Sequence, residues 1–90
     1  MNAKDEIEKI RRMIDNIDEQ LVELIIKRMN CSREIGEYKK TKHLPIYDLQ
    51  REEEIIRAKI ELFIEHGFND PIFVQKLFFL FFEKSREMQQ

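Results

Sequence analysis

Ninety residues with sixteen Lys or Arg and eighteen Asp or Glu carry a formal net charge of −2. The signs are interleaved with no basic block, which argues against a nucleic-acid partner. A single cysteine, Cys31, excludes an internal disulfide framework and fits a reduced setting. Met1 to Asp5 lacks a basic stretch followed by an apolar run, and no segment approaches membrane-spanning length. The expectation is a soluble cytoplasmic protein, with no membrane partner, forming one small domain over residues 1–90.

Taken in chain order, Ile7, Ile10, Ile14, Ile17, Leu21 and Leu24 recur at alternating steps of three and four. No glycine or proline precedes Gly36, so residues from about Lys4 to Lys40 read as one helix. Such a helix is about 55 Å long, whereas a compact chain of this size is only about 30 Å across. The projecting apolar stripe therefore needs another surface, and a second copy is the simplest one, which predicts a homodimer built on this helix. Thr41 to Tyr47, containing Pro45, reads as a loop. Asp48 is a good N-cap for a second helix running to about His66, with Gly67 as a left-handed cap residue. Asp70 and Pro71 start a third helix, from Ile72 to the C-terminus. The predicted fold is all-α: one long helix and two shorter ones.

Polar residues interrupt the apolar stripe of each helix. The slots after Leu24 are Arg28, Cys31, Ile35 and Tyr38. Cys31 reads as a small core residue, but a cation at Arg28 requires a protein partner, a wet pocket or an anionic ligand, because burying an unpaired charge is strongly unfavourable. Glu52 falls between Leu49 and Ile56, and the stripe of Val74, Phe78 and Phe81 leads to Ser85, Met88 and Gln89. Arg28 and Lys39 lie within about 20° on one helix face and about 16 Å apart, leaving room for a small ligand between their heads. Asp48, Arg51 and Glu52 share a face of the second helix, as do Ser85 and Gln89 on the third. Arg11 is turned about 100° from Arg28, so it serves this pocket only if a second chain donates it. With Arg11 included, four cations face two carboxylates, a surplus suited to a small dianion, and guanidinium forks favour a dicarboxylate. Ser85 has no histidine at helical spacing, His43 and His66 fall in a loop and at a helix end, and neither metal-ligand spacing nor a Gly-rich phosphate loop occurs. Catalysis here would rest on positioning and electrostatics.

The chain resembles the all-α, AroQ-type chorismate mutase family. The resemblance lies in IRRMIDNIDEQLVELIIKRM at Ile10 to Met29, IGEYKK at Ile35 to Lys40, PIYDLQREEEII at Pro45 to Ile56 and EKSREMQ at Glu83 to Gln89. It implies an intertwined homodimer that converts chorismate, a dianion, to prephenate in phenylalanine and tyrosine synthesis, without a cofactor or metal. By this resemblance, Arg11 from the other chain and Arg28 bind carboxylates, with Ser85 and Arg51 supporting them. Lys39 and Gln89 donate hydrogen bonds to the ether oxygen, while Glu52 and the backbone at Asp48 hold the substrate hydroxyl. The catalytic set is thus Arg28, Lys39 and Gln89. Phe81 and Phe82 replace smaller branched aliphatics, and Arg86 adds a charge beside Ser85, so the pocket wall is expected to differ in shape. The rival readings are pyruvate elimination from isochorismate on the same scaffold and a non-catalytic helical dimerisation module. The segment from Pro45 to Glu52 favours the mutase over the first, and cations on the inner face have no purpose in the second.

Overall fold

A computed structural model describes residues 2–90. It contains three helices, α1 (Ala3–Lys42), α2 (Leu49–Glu65) and α3 (Pro71–Gln89), and no strand among the described residues. Each begins on a side-chain cap: Asn2, Asp48 and Asp70 accept from the backbone N–H groups of Asp5, Arg51 and Phe73.

The α1 helix runs two residues beyond Lys40 because it ends in a Schellman motif. His43 takes the left-handed conformation at φ 57°, and Leu44 N–H reaches back to the Lys39 carbonyl at 2.8 Å. A histidine in that role gives no sequence signal comparable to glycine. At the end of α2 the same motif uses Gly67, at φ 84°, with Phe68 N–H bonded to the Phe63 carbonyl at 2.8 Å. The rings of Phe63 and Phe68 meet at 5.5 Å, the hydrophobic contact that accompanies this motif.

The α2 and α3 helices form an antiparallel hairpin, and α3 also packs parallel to the second half of α1, while α1 and α2 do not pack directly on each other. Val74 and Phe82 of α3, 1% and 4% exposed, are the buried hydrophobic side chains among the described residues. The first half of α1 projects beyond this hairpin. Its stripe from Ile7 to Leu24 stays exposed in the single chain, Ile10 at 53% and Leu24 at 60%. The molecule measures 62 × 24 × 16 Å. No helix among the described residues is long and apolar enough to cross a membrane.

Candidate active site

Where α3 meets α1, the sequence places small side chains. Ser32 and Gly36 are the buried residues of α1, one and two turns beyond Arg28. A Cβ at Gly36 would lie 2.5 Å from Gln89 Cα and 2.7 Å from the Gln89 carbonyl oxygen, so only glycine admits the last turn of α3 at this distance. Gln89 is thereby set beside Lys39, and Ser85 beside Arg28.

The guanidinium of Arg28 donates to Ser85 Oγ at 2.8 Å and sits over the Phe81 ring, 5.1 Å from its centroid. The Ser85 hydroxyl shares a 3.0 Å hydrogen bond with that of Ser32, which also bonds the Arg28 carbonyl at 3.2 Å. At the other end, Lys39 Nζ donates to Gln89 Oε1 at 2.8 Å and to the Ile46 carbonyl at 2.9 Å. An ammonium only donates, so it takes the amide oxygen of Gln89 and leaves the NH2 group free to donate to a ligand.

Between these ends lies a cavity of about 390 Å³, closed on its third side by Asp48, Arg51, Glu52 and Ile55 at the start of α2. Of the sequence-selected residues, Arg28, Lys39, Asp48, Arg51, Glu52, Ser85 and Gln89 all line it, although Lys39 and Ser85 are more than forty positions apart. Arg11 does not. It is exposed and pairs with Glu8 at 2.6 Å, about 25 Å along α1 from Arg28. Cys31 corrects the expectation of a core thiol: it is exposed and contributes to the cavity wall. Ser32 was missed in the sequence, yet a step of four from Arg28 would have found it. Phe82 lines the cavity and Phe81 underlies Arg28, so the two phenylalanines fill different places. Neither histidine reaches the cavity, and no cluster of three His, Cys, Asp or Glu suited to a metal occurs among the described residues.

The electrostatics are one-sided at Arg28. Its pKa is lowered, first by desolvation and then by repulsion from Arg51. Among the described residues no carboxylate pairs with it. Glu52, one of the two acidic residues on the cavity wall, is instead paired with Arg86. Arg51, whose own carboxylate contact is a solvent-exposed 3.9 Å pair with Glu54, repels Arg28 across the cavity, while Lys39 and the Gln89 amide supply further donors. The chemistry of this donor set suits an anion carrying several oxygen atoms.

An all-helical scaffold with a cation-lined cavity of this kind defines the class. The model of chorismate mutase type II matches residues 10–90, and the chain belongs to that family. It is 30% identical over 90 residues to a bifunctional chorismate mutase/prephenate dehydratase of Escherichia coli, covering 100% of this chain and 23% of that protein. A chorismate mutase of Methanocaldococcus jannaschii is 29% identical over 86 residues, which cover 96% of this chain and 86% of the relative. The chain spans less than a quarter of the bifunctional relatives it matches. Among solved structures, a conserved hypothetical protein from Pyrococcus furiosus superposes with a TM-score of 0.76 at 30% identity, covering 100% of both chains.

Proposed function

We propose that this chain rearranges chorismate to prephenate, and that it does so as a homodimer in which the partner subunit's Arg11 completes each cavity. The observation that carries the reading is Arg28: a half-buried guanidinium facing Arg51 with no protein carboxylate to neutralise it. A substrate carboxylate satisfies it. The exposed apolar stripe of α1 supports association, since covering it with a second copy removes it from water.

The rearrangement is intramolecular: a C–O ether bond breaks as a C–C bond forms, with no atom gained or lost. The protein's tasks are therefore to hold the compact reactive conformer and to stabilise charge growing on the ether oxygen. Arg28, supported by Ser85 and Arg51, fixes one carboxylate, and the partner subunit's Arg11 the other. Lys39 and the Gln89 NH2 group donate to the ether oxygen. Their mutual 2.8 Å hydrogen bond sets their relative position before substrate arrives. Glu52 and the backbone at Asp48 receive the substrate hydroxyl.

Incubating the purified protein separately with chorismate and isochorismate tests this. Prephenate from chorismate is expected; pyruvate from isochorismate alone would reassign the chemistry, and turnover of neither would leave a dimerisation module.

A further inference from the structure

Arg86 stands outside the cavity lining, yet its Nη1 donates to Glu52 Oε2 and its guanidinium lies over the Tyr47 ring, 5.0 Å from the centroid. The contact joins the end of α3 to the first turns of α2 and to the loop before it. Both side chains are largely withdrawn from solvent, 32% exposed for Arg86 and 17% for Glu52. The other charges on this wall belong to Arg28 and Lys39 of α1 and to Asp48 and Arg51 of α2, and none of these pairs with Glu52 among the described residues.

We propose that Arg86 is a positioning residue for Glu52: by occupying Oε2, it fixes the carboxylate so that Oε1 is presented to a ligand hydroxyl, selecting ligands that donate a hydrogen bond there. The inference rests on the proposed function, which places the substrate hydroxyl at Glu52. A carboxylate on a two-carbon stem has several rotamers of similar energy, and a charge-assisted hydrogen bond from a neighbouring helix selects one of them. Arginine suits the task because its planar head stacks on Tyr47 while its edge donates, whereas a lysine ammonium is a flexible point charge. The hydroxyl contact exists in both ground and transition states, so losing its alignment weakens binding more than turnover.

The test is a double-mutant cycle between Arg86→Met and Glu52→Gln, read by chorismate kinetics and thermal melting. Arg86→Met keeps the stem against Tyr47 and removes the charge. It is expected to raise KM about tenfold or more with kcat changed less than about threefold, the size of effect set by one charge-assisted hydrogen bond. Arg86→Lys is expected to recover part of the loss. In the Glu52→Gln background, Arg86→Met should change kcat/KM by less than about twofold, because the carboxylate it positions is gone. Equal losses in both backgrounds, a loss confined to kcat, or wild-type kinetics for Arg86→Met would each overturn the proposal. If Arg86→Met fails to fold, Arg86→Lys replaces it in the cycle, and additivity with Glu52→Gln gives the same refutation. Absence of chorismate turnover by the wild-type protein sinks the functional reading and this inference with it, whereas turnover without coupling sinks the inference alone.

Discussion

Arg28 is a cation that folding holds at a disadvantage. Burial and the repulsion of Arg51 both disfavour its charged form, so its pKa moves down, and with arginine's high ordinary value it remains protonated at neutral pH. The disfavoured charge costs stability that an anionic ligand restores. Arg28→Met, which keeps the aliphatic length, is therefore expected to melt no lower than the wild type while losing turnover by about two orders of magnitude or more. Normal turnover in that variant would make Arg28 structural. Gln89 offers a pH test. Its amide donates without needing a proton from solvent, so wild-type activity is expected to stay level from neutral to mildly alkaline pH. In Gln89→Glu only the protonated carboxyl donates, and Lys39, 2.8 Å from the Gln89 oxygen, favours the ionised form. Activity of that variant should be confined to acid and fall as pH rises through its pKa; superimposable profiles would remove Gln89 from the chemistry.

Among the elements, the second half of α1 does most to shape the site. Ser32 and Gly36 present so little side chain that α3 approaches within backbone contact, and Gln89 is fixed by that approach. Gly36→Ala places a methyl group against backbone atoms of Gln89, which cannot move aside as a side-chain tip can. The last turn of α3 must shift, and kcat is expected to fall about a hundredfold, the scale associated with a misplacement near 1 Å. Gly67→Ala is the contrasting case. It meets no atom within 4 Å but demands φ 84° of an alanine, so it should cost about 1 kcal/mol of stability and leave turnover unchanged. If both variants affected only stability, the close approach at Gly36 would have no part in positioning Gln89.

As a whole molecule, the chain is too extended to be its own solvent shield. Its radius of gyration is 17.3 Å, against about 12 Å for a compact chain of this length. Val74 and Phe82 make a small core, and the apolar stripe on the first half of α1 is left bare. In the homodimer proposed above, a second copy covers that stripe and the partner subunit's Arg11 completes each cavity. Arg11→Ala and Arg28→Ala proteins are each expected to be inactive alone. Mixed and refolded together in equal amounts, they should regain about a quarter of wild-type activity, because half the dimers are mixed and each has one intact site. No recovery would mean that Arg11 and Arg28 serve the same chain's site, and full activity of Arg11→Ala alone would mean that Arg11 serves none.

The sequence by itself determined the three helices, because apolar period, caps and breakers act over a few residues: Asp48, Asp70 and Gly67 each do locally what their chemistry requires. Helical spacing also puts Arg28 and Lys39 on one face and Ser85 and Gln89 on another, although the buried Ser32 was passed over. Tertiary structure decided what those faces meet. Glu52 took Arg86, from 34 positions away, as its partner, Cys31 came to the cavity wall, and the approach of α3 was set by the absence of a side chain at Gly36. These outcomes depend on distances between helices, which periodicity along one helix does not encode. Arg28 spans both levels: its place on the inner face is a matter of spacing, and its lack of a protein counter-ion is a matter of packing.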